Sequence, residues 1–173
     1  YFLMLSYRRD ENEKELNRLS YHDTLTSFYN RNRYTADTDN LRVTDSPVGI
    51  VYLDVNGLKD INDLRGHAFG DKVLVECARR MRETFEGADF YRIGGDEFVI
   101  ICREWSKEVF EEKVELLRKN FERDSICRAA VGSRWAEGSD DLSQIIADAD
   151  ARMYEDKKEF YRRSPVSRRY RHQ

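Results

Sequence analysis

Residues 92–98, RIGGDEF, place two glycines and two acidic residues between two apolar runs. Residues 89–93 and 97–102 have the β-branched and aromatic composition of strands. The two glycines supply the backbone freedom of a tight turn, so the pattern predicts a β-hairpin with Asp96 and Glu97 close to its tip. An acidic hairpin tip is by itself more often a solvated turn than a functional site, so the rest of the chain has to decide between the two.

The segments around the hairpin predict further strands and helices. Residues 48–53, VGIVYL, form an apolar run typical of a buried central strand, and residues 125–135 predict another strand. Apolar residues recurring on one face predict helices over residues 71–85, 107–121 and 142–162, and we also expect a helix over residues 30–41. The order, roughly β-α-β-β-α-β-α, predicts an α+β fold of the split βαβ type, with a mostly antiparallel central sheet that contains the hairpin and is flanked by helices.

Composition restricts the class of protein. The chain has 173 residues, of which 40% are hydrophobic and 36% charged, as expected for a folded domain. Its 30 basic and 33 acidic residues give a net charge of −3, so we expect no nucleic-acid partner. Cys77, Cys102 and Cys127 show neither CxxC spacing nor histidine neighbours suited to zinc, and we expect buried structural thiols in a reducing cytosol.

We divide the chain into an N-terminal signalling or linker helix (residues 1–20), a folded domain (residues 21–163) and a basic mobile tail (residues 164–173). The apolar residues 1–5 either end a membrane helix or begin a linker from a soluble sensor, and the sequence leaves both open. The tail has three arginines and no acid, and its alternative role is to bind an anionic membrane surface. We expect a cytoplasmic domain, whether of an inner-membrane-anchored or of a soluble protein.

Acidic residues stand where the predicted strands end. Asp54 terminates the apolar run of the central strand, and Asp96 and Glu97 follow the glycine turn. If these strands are neighbours, three carboxylates meet at one edge of the sheet, where they repel one another unless a cation neutralises them. Hard oxygen ligands select Mg²⁺ or Mn²⁺, and such a cluster suits phosphoryl or nucleotidyl transfer. The GxxxxGK[ST] motif is absent from the sequence, which excludes a P-loop NTPase as far as a motif can.

The chain resembles the GGDEF family in four motifs that occur in the family's order. The hairpin contains the signature that names the family. Residues 23–31 resemble its D-x-L-T-x-x-x-N-R, residues 54–71 its D-x-[DN]-x-x-K-x-x-N-D-x-x-G-H-x-x-G-D, and residues 149–157 its A-D-x-x-M-Y-x-x-K. The resemblance implies a palm-like nucleotidyl cyclase fold and diguanylate cyclase activity, which joins two GTP molecules into cyclic di-GMP and releases two pyrophosphates. It also implies a catalytic homodimer, an upstream sensor domain in the same chain, and Mg²⁺ or Mn²⁺ as cofactor.

The resemblance assigns roles residue by residue. The implied metal ligands are Asp54, the Val55 carbonyl, Asp96 and Glu97. The implied catalytic residues are Asp96 and Glu97, with Asp96 the usual candidate for accepting the proton of the attacking ribose 3′-hydroxyl. The implied substrate-binding residues are Asn62 and Asp71 for guanine, His67 in the same block, and Lys59 and Lys157 for the triphosphate. The plainer alternatives are a loop-stabilising role for His67 and a surface role for Lys157.

The sequence departs from the family pattern at positions that bear on function. Tyr161 stands where a basic residue is common, so we expect a weaker hold on the triphosphate and a higher KM for GTP. Many members place R-x-x-D five residues before the signature, where it binds product and inhibits the enzyme; Phe85 and Ala88 occupy its ends here. The main alternative is a catalytically silent GTP-binding regulatory domain, which Tyr161 favours. A cyclase with a mixed purine product is opposed by Asp71, and a purely structural dimerisation domain leaves the acidic cluster unexplained.

Overall fold

The computed structural model describes residue 16 and residues 20–40, 46–138 and 140–163. The linker helix expected over residues 1–20 and the tail expected over residues 164–173 therefore lie almost entirely outside the described residues. Within those ranges, no helix combines the length and the apolar composition that a bilayer crossing requires.

Five helices and four strands make up the described domain. They are α1 (Arg31–Asn40), β1 (Val48–Val55), α2 (Leu58–Arg65), α3 (His67–Thr84), β2 (Asp89–Arg92), β3 (Glu97–Arg103), α4 (Lys107–Glu122), β4 (Ala129–Ala136) and α5 (Leu142–Arg163).

The strands form one sheet in the order β2-β3-β1-β4, and every neighbouring pair is antiparallel. β1 and β2 therefore run in the same direction with β3 between them, which confirms the α+β fold and the split βαβ arrangement. Successive side chains of β1 face opposite sides of the sheet. Val51, Leu53 and Val55 pack with α3 and α4 on one side, whereas Ile50 packs with α5 on the other. Burial on both faces explains the continuous apolar run of the central strand.

Two helices occupy the segment that the sequence analysis treated as a motif block. The prediction of a helix starting at residue 71 was wrong by four residues, because α3 begins at His67, and α2 was not predicted at all. α2 contains no buried residue, so it lacks the apolar stripe that reveals a helix in a sequence. Only Gly66 separates the two helices, and its φ of 85° lies in a region that favours glycine.

The last strand begins later than predicted. The Asp124 carboxylate accepts hydrogen bonds from the backbone N–H groups of Ile126 at 2.7 Å and Cys127 at 2.8 Å. This side chain thereby forms a local turn that competes with strand pairing, as aspartate commonly does. β4 consequently starts at Ala129, and the expectation of a strand from residue 125 was wrong.

The expectation of three thiols was wrong for two of the cysteines. Cys77 of α3 and Cys127 of the turn before β4 form a disulfide across 50 residues of sequence, with their Cα atoms 6.2 Å apart. Cys102 of β3 is free and buried, and burial raises the pKa of its thiol. Sequence spacing could not reveal the pairing, because the packing of α3 beside the β4 turn brings the two cysteines together.

Helix α5 lies directly on β4, the edge strand of the sheet. The Asp156 carboxylate accepts the outward-facing N–H of Val131 at 2.7 Å, and Arg118 of α4 donates to the Val131 carbonyl. Side chains thus satisfy backbone groups that an edge strand otherwise leaves open. The same packing directs the C-terminal half of α5 towards the end of β1.

Candidate functional site

The hairpin and the end of β1 meet at one edge of the sheet. In the β1–β3 register Asp54 lies directly opposite Glu97. One step further, the Val55 N–H donates to the Asp96 carbonyl at 2.9 Å. The structure therefore brings Asp54, Asp96 and Glu97 to the same place, as expected if the two strands are neighbours. Asp54 is only 6% exposed, so its charge is largely removed from solvent.

Burial and mutual repulsion govern the charges of this cluster. Burial raises the pKa of Asp54, and Asp96 raises it further, while the hydrogen bond from Lys157 opposes both effects. Burial also raises the pKa of Glu97, together with the charges of Asp54 and Asp96. The positive charge around these two carboxyl groups therefore does not fully compensate their burial and mutual repulsion.

Lys157 is the cation nearest to this cluster among the contacts of the described residues. Lys157 lies in the C-terminal half of α5, and its Nζ donates a hydrogen bond to Asp54 Oδ2 at 2.7 Å. Burial lowers the pKa of Lys157, but the hydrogen bond and the charge of Asp54 outweigh burial and leave that pKa raised. The structure thus places this lysine on the strand end and not on open surface.

The donor atoms at this edge fit a divalent cation of the Mg²⁺ type. Asp54 Oδ1 is buried and has no hydrogen-bond partner, which is costly for a carboxylate oxygen unless a ligand completes it. Asp96, Glu97 and the Val55 carbonyl contribute further hard oxygens. Across the described ranges no three acidic, histidine or cysteine side chains stand ready as a complete metal cluster, and here one oxygen of Asp54 is taken by Lys157.

A cavity of about 210 Å³ opens beside the carboxylates at the start of α2. We call it the phosphate cradle, because the first-turn N–H groups of a helix lack intrahelical partners and attract anions. Gly57 precedes α2 with a φ of 70°, a conformation that glycine adopts without strain. The residues that line the phosphate cradle are Val55, Gly57, Leu58, Lys59, Asp60, Asp96 and Tyr161.

The residues assigned to guanine lie on the α2–α3 helical pair. Asn62 is in α2, whereas His67 and Asp71 are exposed residues in the first turns of α3. Gly70 allows α3 to pack on Asn62, since a Cβ at that position would lie 1.8 Å from Asn62 Oδ1. Asn62 Oδ1 is buried without a hydrogen-bond partner, so this amide has an unused acceptor.

Arg92 is a site-organising residue that the sequence analysis quoted without giving it a role. Its guanidinium donates to the Gly95 carbonyl at 2.7 Å and to Asp23 Oδ1 at 3.1 Å. Asp23 in turn accepts from the backbone N–H and the hydroxyl of Thr26 at 2.8 and 2.7 Å. The first motif therefore anchors the hairpin that carries Asp96. The feature of the sequence that could have predicted this role is the position of the arginine, two residues before the glycine pair.

The positions of the missing R-x-x-D pair are part of the apolar interior. Phe85 is 0% exposed, and its ring stacks on Trp105 with centroids 5.8 Å apart. Ala88 is a partly buried residue that packs against the same core. Neither side chain presents a charge to solvent at this place.

Comparison with known proteins assigns the domain to a family. Residues 20–163 match the family model described as "Diguanylate cyclase, GGDEF domain". The chain therefore belongs to the GGDEF family of diguanylate cyclase domains. Diguanylate cyclase VdcA of Vibrio cholerae is 32% identical over 148 residues, which cover 78% of this chain and 43% of VdcA. Diguanylate cyclase DosC of Escherichia coli K12 is 27% identical over 146 residues, covering 76% of this chain and 32% of DosC. The chain thus spans less than half the length of these relatives.

Solved structures share the fold. The coiled coil and GGDEF domain of DgcB from Caulobacter crescentus, in complex with c-di-GMP, matches with a TM-score of 0.78 at 20% identity, over 91% of each chain. The FimX GGDEF domain from Pseudomonas aeruginosa matches with a TM-score of 0.72 at 22% identity, over 81% of this chain and 95% of that one. At these identities the likeness establishes the palm-like GGDEF fold.

Proposed function

We propose that this domain synthesises cyclic di-GMP from two molecules of GTP. The observation that supports the proposal most is the sheet edge at which buried Asp54, with an unpartnered oxygen, faces the hairpin carboxylates beside the phosphate cradle. Two relatives named as diguanylate cyclases, VdcA and DosC, support the same activity. The reaction class is nucleotidyl transfer, in which positioning and electrostatic stabilisation supply most of the rate.

In this proposal the two ends of GTP are held by different elements. Asn62 and Asp71 bind guanine, because a carboxylate accepts hydrogen bonds from the ring N–H and the amino group that adenine does not offer as a pair. His67 belongs to the same helical pair. Lys59 at the cradle and Lys157 on α5 attract the triphosphate as point charges.

Asp54, Asp96, Glu97 and the Val55 carbonyl would hold Mg²⁺ or Mn²⁺, which when bound neutralises charge on the phosphate oxygens. Asp96 accepts the proton of the attacking ribose 3′-hydroxyl, and Glu97 supports it from the strand opposite Asp54. The 3′-oxygen forms its bond to the α-phosphorus of the other GTP, and the bond from that phosphorus to pyrophosphate breaks. Two such steps close the ring.

Each domain carries one such site, so the proposed reaction requires two domains to face each other. A homodimer supplies this arrangement with two-fold symmetry. The segment over residues 1–20 is the natural place for an upstream sensor in the same chain to control that encounter.

Incubation of the concentrated domain with GTP and Mg²⁺ is expected to yield cyclic di-GMP, detected by mass spectrometry. Asp96→Ala is expected to yield none, because it removes both a metal ligand and the proton acceptor. Glu86→Ala, which removes an exposed acid before β2, is the matched control and should retain the parent rate. Absence of product with Mg²⁺ and Mn²⁺, in domains dimerised through their N-termini, would favour the silent GTP-binding alternative. The feature that favours that alternative is Tyr161, which stands where a basic residue is common in the family.

We expect no product inhibition through the R-x-x-D position. Phe85 is buried against Trp105 and Ala88 has no polar side chain, so neither binds a phosphodiester. Initial rates measured with added cyclic di-GMP should show at most competition with GTP. Strong non-competitive inhibition would contradict this expectation, and Phe85→Arg is not a suitable rescue because it would place a charge in the core.

A further inference from the structure

We infer that Tyr161 closes the phosphate cradle of the unliganded domain and thereby weakens its affinity for a nucleoside triphosphate. The inference rests on the proposed function, since it takes the triphosphate of GTP as the occupant of the cradle. The Tyr161 hydroxyl competes with the triphosphate for the Gly57 N–H. Tyr161 is then a determinant of substrate affinity and not a passive replacement of a basic residue.

The contact that supports this inference is a single hydrogen bond across the cradle. The N–H of Gly57 donates to the Tyr161 hydroxyl oxygen at 3.2 Å, between residues 104 positions apart in the sequence. This N–H stands immediately before α2, where backbone donors point outward and attract anions. Tyr161 also lines the cavity together with Lys59 and Asp96, so its ring stands among the residues that would surround the phosphates.

The position of the tyrosine is determined by the packing of α5. Lys157 and Tyr161 are four residues apart and therefore share one face of the helix. Lys157 is hydrogen-bonded to Asp54, which orients this face towards the end of β1. The adjacent Phe160 packs edge-on against the Tyr161 ring with centroids 5.3 Å apart, and Arg128 lies 5.9 Å from the Phe160 centroid. These contacts hold the hydroxyl over Gly57.

A phenol hydroxyl at this place opposes triphosphate binding in two ways. It occupies a donor that a phosphate oxygen would otherwise use, so the two acceptors compete for the Gly57 N–H. It is also neutral, so it offers no charge to compensate a polyanion, as the guanidinium or ammonium common at this family position would. Binding of the triphosphate therefore requires the tyrosine to leave Gly57.

Tyr161→Phe separates the effect of the hydroxyl from the effect of the ring. Phenylalanine retains the contact with Phe160 but cannot accept a hydrogen bond from the Gly57 N–H. We expect Tyr161→Phe to bind a triphosphate about three- to tenfold more tightly, the factor that corresponds to one hydrogen bond. Tyr161→Arg frees the same donor and adds a cation, so its affinity should increase further. Tyr154→Phe is the matched control, since it removes a hydroxyl from the same helix at a side chain that is 56% exposed.

The test is isothermal titration calorimetry with Mg²⁺ and two probes. The first is guanosine 5′-(α,β-methylene)triphosphate, which cannot release pyrophosphate because carbon replaces the bridging oxygen. The second is guanosine, which has no phosphate. We expect Tyr161→Phe to tighten binding of the triphosphate analogue alone, and Tyr154→Phe to change neither affinity. Compared with the parent domain, the Tyr161→Phe variant should have a lower KM for GTP, and its kcat should change less than its KM.

Two negative results are distinguishable. If guanosine and the analogue bind but Tyr161→Phe leaves the analogue affinity unchanged or weaker, the inference about Tyr161 is wrong and the proposed GTP site stands. If neither probe binds to the parent domain or to any variant, the proposed function fails as well.

Discussion

Asp54→Asn is expected to lower the rate of cyclic di-GMP synthesis about a thousandfold. Asparagine preserves the size of the side chain but removes the charge of the most buried carboxylate at the sheet edge. A catalytic metal ion contributes several kcal/mol to the stabilisation of transition-state charge, and each 1.36 kcal/mol corresponds to a factor of ten in rate. Initial rates of pyrophosphate release, compared with those of the parent, measure the effect.

The same substitution should leave the domain folded, which separates loss of chemistry from loss of structure. Because burial raises the pKa of Asp54, the proton is held more tightly in the folded chain than in the unfolded chain. The contribution of this carboxyl to stability is therefore largest below its unfolded pKa and is lost as the pH rises through its folded pKa. At neutral pH the amide removes a buried charge, while its oxygen can still accept a hydrogen bond from Lys157, whose side chain is 29% exposed.

We expect the free energy of unfolding of Asp54→Asn to lie within about 2 kcal/mol of the parent value, since the partly exposed Lys157 keeps both hydration and an acceptor. Urea unfolding followed by circular dichroism measures it. Retention of the parent rate by Asp54→Asn would show that the carboxylate is not needed and would contradict the proposed metal-holding role. If the Asp54→Asn domain is already unfolded without urea, the Asp54–Lys157 contact is essential to the fold.

Gly132→Ala is expected to destabilise the domain by about 3 kcal/mol. A Cβ on Gly132 would lie 2.0 Å from the Ala149 carbonyl oxygen and 2.1 Å from the Met153 nitrogen. Both are backbone atoms of α5, so no side-chain rotation relieves the clash and the helix has to move away from β4. For a domain of this size such a loss lowers the melting temperature by about 6 to 12 °C.

Gly95→Ala is the matched control for stability. No atom lies within 4 Å of a Cβ at that position, and its backbone does not require glycine, so the melting temperature should change little. Differential scanning calorimetry of the two variants gives the comparison, and equal melting temperatures would show that α5 does not lie as closely on β4 as described.

Local patterns were sufficient to predict much of the fold. The apolar run of β1, the glycine pair of the hairpin and the amphipathic faces of α3, α4 and α5 are local patterns, and they predicted the split βαβ sheet. The hairpin forms where it was expected, but neither Gly94 nor Gly95 has the positive φ for which a glycine was expected to be needed. α2 escaped prediction because none of its residues is buried. β4 was started too early because the Asp124 carboxylate holds the following residues in a turn that competes with strand pairing. The roles of the site residues came from ordered motifs and remain predictions until they are measured.

Sequence patterns showed which chemical groups this domain possesses, namely the carboxylates at the ends of strands and the tyrosine in place of a cation. Only the tertiary structure decided which of them meet. The packing of α5 on β4 through Gly132 places Lys157 on Asp54, 103 residues away, and Tyr161 on Gly57, 104 residues away. The packing of α3 beside the turn before β4 likewise brings Cys77 to Cys127 across 50 residues. Such contacts depend on the close packing of distant elements, and no local periodicity records them.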